Sequence, residues 1–177
     1  MEFEKRKIRK CLKGDRVAQR ELYDTFAPTM YVICCRYTGN EADAKDVLQE
    51  SFITVFSKLE AFRGDGSLEG WIKRIVCTTA IRFVKKASSK YHPSIDQVFE
   101  QPISDENPIE KMGLEEIITL VRKLPDHYRL VFNMNVIEGY SHKEIANELG
   151  IGESTSRVQL TRAKKILAEC ITKQEIL

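Results

Sequence analysis

Asp43, Asp46 and Glu50 recur at spacings of three and four, which puts all three carboxylates on one face of a helix. Such a set can hold a divalent metal, or it can meet a basic partner surface. Nothing nearby in the sequence supplies a catalytic base or a phosphate cradle for the metal chemistry. Negative charge early in the helix is explained by the helix dipole. Glu50 lies too far along for that, and like charges at this spacing repel by a few tenths of a kcal/mol. A basic partner offsets that repulsion. A plainly solvated charged face remains the alternative.

A second set points to nucleic acid. Leu160, Ala163 and Leu167 form an inner stripe at spacings of three and four, so Thr155, Arg157, Val158, Gln159, Thr161, Arg162 and Lys165 are expected to face outward. Arg and Gln can pair with guanine or adenine edges, and Val158 can meet a thymine methyl. Arg162, Lys164 and Lys165 suit phosphates. The five cysteines (Cys11, Cys34, Cys35, Cys77 and Cys170) form neither a CxxC pair nor a Cys/His cluster, so reduced, partly buried thiols are expected. No catalytic residue, metal site or cofactor is expected.

These side chains need helices to position them. In YSHKEIANELGIGESTSRVQLTRAKKIL (Tyr140–Leu167), Ser141 and Glu144 have the spacing of a capping box, so a helix starts at His142 with Ile145, Ala146 and Leu149 inward. Gly150 and Gly152 bracket a turn, and Ser154 is placed to cap the next helix. Two short helices joined this way make a helix-turn-helix, whose second helix fits the major groove. A plain helical hairpin with a solvated basic face is the alternative.

Upstream, Asp15 caps a helix that runs toward Phe26. Pro28 is expected to bend or restart it, and Gly39 to end it near Tyr37. Asn40 caps the acidic-faced helix, whose apolar face is Ala44, Leu48, Phe52, Val55 and Leu59. The loop AFRGDGS (Ala61–Ser67) follows, and Ser67 caps a basic helix to about Lys86. There Trp71, Ile75, Thr78 and Arg82 share a face, which suits unstacked single-stranded bases. Trp71 taken alone reads as a core residue, leaving the loop and Thr78 to hold a flipped base.

The fold class is therefore all-α, with two small helical domains at 1–90 and 109–177. They are joined by an acidic linker at 91–108, and the second contains the helix-turn-helix. The linker carries the proline-rich, irregular composition of such a segment. Helices are expected to resume near Asn107, pause at Pro125, and run again from Asp126 to Ile137. Net charge is only +2, but Met1–Arg20 holds eight Lys/Arg against three acids, and Trp71–Lys90 six against none. Tyr91–Ile118 reverses this, with seven acids and one Lys. Separate basic surfaces favour polyanion binding at more than one place. The first twenty residues lack an apolar core, so no signal peptide is expected and a cytoplasmic location is the default. The longest apolar run, near MYVICC, is too short to span a bilayer.

Together these stretches resemble the bacterial RNA polymerase sigma factors of the extracytoplasmic-function group. DAKDVLQESFITVFSKLEAFRGDGSLEGWIKRI (Asp43–Ile75), LPDHYRLVFNMNVIEGYSHKEIANELGI (Leu124–Ile151) and Ser154–Leu167 are similar to the family's patterns, in the family's order. The resemblance implies that Asp46, Gln49, Glu50, Phe52 and Phe56 bind core RNA polymerase. It implies that Phe62, Arg63, Gly64, Asp65, Lys73, Arg74 and Thr78 capture the melted minus-ten strand of promoter DNA. It further implies that Thr155, Arg157, Val158, Gln159, Thr161, Arg162 and Lys165 read the minus-thirty-five duplex, and that a separate anti-sigma factor regulates the chain. Ser156 stands where the pattern carries an apolar residue, and Thr78 where many members carry Asn. The competing functions are an autonomous, dimeric helix-turn-helix regulator and, more remotely, a metal-dependent nucleic-acid enzyme using Asp43, Asp46 and Glu50.

Overall fold

Four helices begin where a short polar side chain accepts from the first free backbone N–H groups, as the sequence leads one to expect. The computed structural model describes residues 5–88 and 114–174. Helices α1 (Lys5–Leu12), α2 (Arg16–Tyr37), α3 (Glu41–Lys58) and α4 (Leu68–Ser88) come first, with a short 3₁₀ turn at Leu59–Ala61. Helices α5 (Leu114–Lys123), α6 (Asp126–Phe132), α7 (His142–Leu149) and α8 (Glu153–Gln174) follow. No strand occurs among the described residues. The chain divides into two compact units, Met1–Phe83 and Val84–Leu177. The acidic linker at 91–108 and the helix start near Asn107 lie outside the described residues.

In the first unit, Asp15 Oδ1 accepts from the N–H groups of Val17 (3.0 Å) and Ala18 (3.2 Å), starting α2. This helix does not stop or restart at Pro28 but continues to Tyr37. A proline removes one ladder hydrogen bond, but Leu22, Phe26, Ala27, Met30, Ile33 and Cys34 are buried on both sides of it and hold the helix together. The stop comes at Thr38 rather than from a left-handed Gly39. Thr38 is in an extended conformation, and both its N–H and its hydroxyl donate to the Cys34 carbonyl at 3.0 Å. Asn40 then caps α3, its Oδ1 accepting from Asp43 N at 2.9 Å. Ala44, Val47, Leu48, Phe52 and Val55 form the buried face of α3. Ser67 Oγ accepts from Gly70 N at 3.0 Å at the start of α4. Ile72, Val76, Ala80 and Ile81 carry α4 into the core. Helix α1 had no separate place in the sequence reading.

In the second unit, α5 turns into α6 around a buried guanidinium. Arg129 is only 3% exposed; its Nη1 donates to the carbonyls of Leu124 (2.7 Å) and Arg122 (3.2 Å), and its Nη2 pairs with Asp126. Burying an arginine is tolerable only with such partners. Helix α6 passes into a π-helical stretch, Asn133–Ile137, near the end expected from sequence.

Candidate nucleic-acid and protein interfaces

The helix-turn-helix is built as its sequence dictates at the first helix and differently at the second. Ser141 Oγ accepts from Glu144 N at 3.2 Å, and Glu144 Oε2 accepts from Ser141 N at 2.8 Å, closing the capping box. The hydrogen bonds from Ser141 hold the Glu144 carboxyl below its ordinary range. Ile145 and Ala146 are buried and Leu149 half-buried. Helix α7 ends at Gly150, left-handed at φ 72°, whose N–H donates to the Ala146 carbonyl at 2.9 Å. Gly152 is not left-handed, contrary to the symmetric role expected of it. Helix α8 already starts at Glu153, so Ser154 sits in its first turn rather than at the cap. Glu153 is favoured there by the helix dipole and pairs with Arg157 at 3.3 Å.

Thr155, Arg157, Thr161 and Lys165 are exposed, and Val158 and Arg162 are half-exposed. Arg162 Nη1 donates to the Tyr128 hydroxyl at 3.2 Å, which orients its guanidinium from α6. Gln159 is a correction: it is 8% exposed and turned inward. The buried stripe of α8 is wider than Leu160, Ala163 and Leu167, because Ser156 (0% exposed) extends it by a turn and brings Gln159 onto its flank. A hydroxyl holds that buried place because Ser156 Oγ lies 2.9 Å from Nδ1 of His142, on the facing helix α7. Burial first, and then the nearby Arg157 cation, lower the His142 pKa, so the neutral ring is favoured.

The loop before α4 is shaped by two glycines. Gly64 and Gly66 have φ of 82° and 108°, and a Cβ at either would meet nothing within 4 Å. The glycines therefore serve backbone conformation, not close packing. Arg63, Gly64 and Asp65 are exposed. The half-buried Phe62 ring packs on Trp71, with centroids 5.6 Å apart. Trp71 is itself partly buried, between the core position expected of it and the surface. Arg74 is exposed, and Lys73 and Thr78 are half-exposed. Thr78 Oγ1 donates to the Arg74 carbonyl at 2.8 Å, which leaves its oxygen as an acceptor toward solvent.

On α3, Asp46, Gln49 and Glu50 are exposed and Phe56 is half-exposed. Phe52 is the second correction. It is 3% exposed, with its ring edge-packed on Tyr23 at 4.7 Å, so it belongs to the core and not to a contact surface. Ile53, which the sequence reading missed, is 69% exposed and lies one helical turn beyond Gln49 and Glu50. An apolar residue three and four positions past two polar surface candidates was the signal for it. Among the described residues, no group of His, Cys, Asp and Glu is arranged to hold a metal ion.

Two family models match these two sets of surfaces. "Sigma-70 region 2" matches residues 22–90, which include α3, the glycine loop and α4. "Sigma-70, region 4" matches residues 114–167, through the helix-turn-helix. The chain is also 26% identical to the ECF RNA polymerase sigma factor SigW of Bacillus subtilis (strain 168), covering 92% of this chain and 94% of that one. The chain belongs to the extracytoplasmic-function sigma factors. The ECF RNA polymerase sigma-E factor of Escherichia coli (strain K12) is 29% identical over 175 residues, covering 90% of each chain. The sigma factor RpoE of Bartonella quintana, solved in complex with the anti-sigma factor NepR, shares the fold. Its TM-score is 0.50 at 16% identity, with 86% of this chain and 96% of that one covered. As an extracytoplasmic-function sigma factor, this chain directs RNA polymerase to promoters; an autonomous regulator is not favoured.

Proposed function

We propose that the two units divide promoter selection between them, with domains at 1–90 and 109–177 and a connecting segment at 91–108. The exposed face of α3, formed by Asp46, Gln49, Glu50, Ile53 and Phe56, binds core RNA polymerase. Ile53 and Phe56 give that face an apolar centre, and the acids give it a charge that a basic partner neutralises. The loop Phe62–Asp65, with Lys73, Arg74 and Thr78, holds the melted minus-ten strand. The Phe62–Trp71 pair offers an aromatic edge for a displaced base. On α8, Thr155, Arg157, Val158, Thr161, Arg162 and Lys165 read the minus-thirty-five duplex.

This arrangement answers a problem of specificity. A single helix-turn-helix reads few base pairs, and each mismatch costs about 1–3 kcal/mol. Joining two readers on one polymerase raises the effective concentration at the second element. Trapping an unstacked base costs a few kcal/mol, which contacts in the first unit return. The chain carries no chemistry of its own, because the polymerase makes the bonds. It works in the cytoplasm, and no helix among the described residues is long and apolar enough to cross a membrane. A separate anti-sigma factor binds it, as NepR binds the related sigma factor.

The observation that carries this reading is the cationic outer face of α8 standing beyond a capped α7 and a left-handed Gly150. The test is the Asp46→Lys, Glu50→Lys double change. Association with core polymerase should fall at least tenfold while duplex binding survives. Unchanged polymerase association would remove the α3 assignment.

A further inference from the structure

We propose that the outer face of α1 is an additional contact for the phosphate backbone of promoter DNA, separate from the α4 and α8 surfaces. Arg6, Arg9, Lys10 and Lys13 follow one another at spacings of three and four, so their side chains form one stripe along the helix. Lys13 lies just past the last helical residue, and its N–H donates to the carbonyls of Lys10 (3.1 Å) and Arg9 (3.3 Å), which holds it against the last turn of the helix. All four are exposed. The opposite side of α1 is fixed to the unit: Cys11 is 3% exposed, Ile8 is half-buried, and Gln19 Nε2 donates to the Cys11 carbonyl at 3.3 Å. The stripe is thus held outward on an anchored helix.

Among the described residues, the carboxylates of the facing helix are engaged with other groups. Glu21 pairs with Lys7 at 3.2 Å, Asp15 accepts from the first N–H groups of α2, and Asp24 pairs with Arg20 at 2.8 Å. Among the described residues, no ion pair reaches Arg6, Arg9, Lys10 or Lys13. Like charges three and four apart on a helix repel. A polyanion laid along the stripe reverses the sign of that interaction. Seven residues of helix rise about 10 Å. A DNA strand carries a charge about every 3.4 Å of rise, so the stripe spans about three phosphates. Exposed apolar side chains lie only beside the stripe, at Leu12 and Val17, and its own four members are all cations, whereas the centre of a protein–protein contact is depleted of charge. That favours the DNA backbone over an acidic protein surface. The contact carries no sequence information, and its effect is on affinity and its dependence on salt.

The inference rests on the promoter-directing role, and the test keeps the two apart. Polymerase holoenzyme formed with the full chain is titrated onto promoter DNA at several salt concentrations. Wild-type holoenzyme that selects no promoter would count against the role itself. The variant Arg6→Gln, Arg9→Gln, Lys10→Gln, Lys13→Gln keeps good helix formers at exposed positions, so the fold is retained. Its slope of log affinity against log salt should shrink by about three, since each lost phosphate contact removes about 0.9. Affinity should fall at least tenfold, and equally on promoters that differ in either element, while affinity for core polymerase stays unchanged. Single exchanges should each remove at most about 0.9 from the slope. The pair Arg6→Lys, Arg9→Lys keeps the charge and should keep the slope. An unchanged slope in the fourfold variant overturns the proposal. So does a loss that follows weakened binding to core polymerase, which would make the stripe a protein contact.

Discussion

Replacing Phe52 with Ala separates packing from partner binding on α3. The ring is 3% exposed and edge-packed on Tyr23 at 4.7 Å, with Phe56 at 6.2 Å on its other side. Truncating a buried Phe costs about 3–5 kcal/mol, of which the aromatic pair accounts for about 0.5–1.5. Against the 5–15 kcal/mol typical of a domain, that is a large fraction of the total. Trp71 is the chain's single tryptophan and lies in the first unit, so its fluorescence follows the unfolding of that unit alone. With a urea dependence of about 2 kcal/mol per molar, Phe52→Ala should lower the midpoint by about 2 M. Glu50→Lys, at an exposed position, should move it by less than about 0.3 M while weakening polymerase association at least tenfold. If Phe52→Ala left the midpoint in place and abolished polymerase binding, Phe52 would be a surface contact and the packing described for α3 would be wrong.

Other expectations follow from the same geometry. Gln159→Met should leave promoter affinity within about twofold and should not destabilise the second unit, because it removes a buried amide whose Oε1 has no hydrogen-bond partner. A tenfold loss of promoter affinity would put Gln159 in the groove after all. His142 has a folded pKa below its ordinary value of 6.5, so below that pH the unfolded chain binds the extra proton more readily. The associated stability is present above pH 6.5 and is lost as pH falls through the lower folded value. Thermal melts of wild type against His142→Asn between pH 7.5 and 5.5 should show the wild type losing more, and parallel curves would contradict this. Burial first, and then the neighbouring Cys35 and Cys77, push the Cys34 thiol up to about 12. In the native protein a thiol reagent at pH 8 should label the half-buried Cys170 first and Cys34 only on unfolding.

What could be read from sequence was what local chemistry decides. Asp15, Asn40, Ser67 and the Ser141–Glu144 box cap helices at the residues expected, because a cap depends on its own first turn. What could not be read was set by packing between helices. Pro28 sits inside a continuous α2 because buried neighbours on both sides outweigh one missing hydrogen bond. Ser156 turns inward because α7 supplies His142 as a partner, which no periodicity on α8 alone reveals, and Gln159 follows it onto the flank of the buried stripe. Phe52 and Ile53 are adjacent in sequence but lie on opposite sides of the burial boundary; the apolar spacing of α3 already puts Phe52 on the inner face, where Tyr23 of α2 packs on it, and it is the family resemblance that makes it a contact residue. Helix α1 is short and charged, so its apolar signal reduces to Ile8, Cys11 and Leu12, the last of them exposed.

The central claim is that this chain selects promoters for RNA polymerase. Run-off transcription on fragmented genomic DNA from the source organism, using its own core polymerase with and without the chain, tests that directly. The expected result is a set of discrete new starts that share two spaced upstream elements and vanish with Asp46→Lys, Glu50→Lys. An absence of new starts, with the chain alone still shifting duplex DNA, would contradict it.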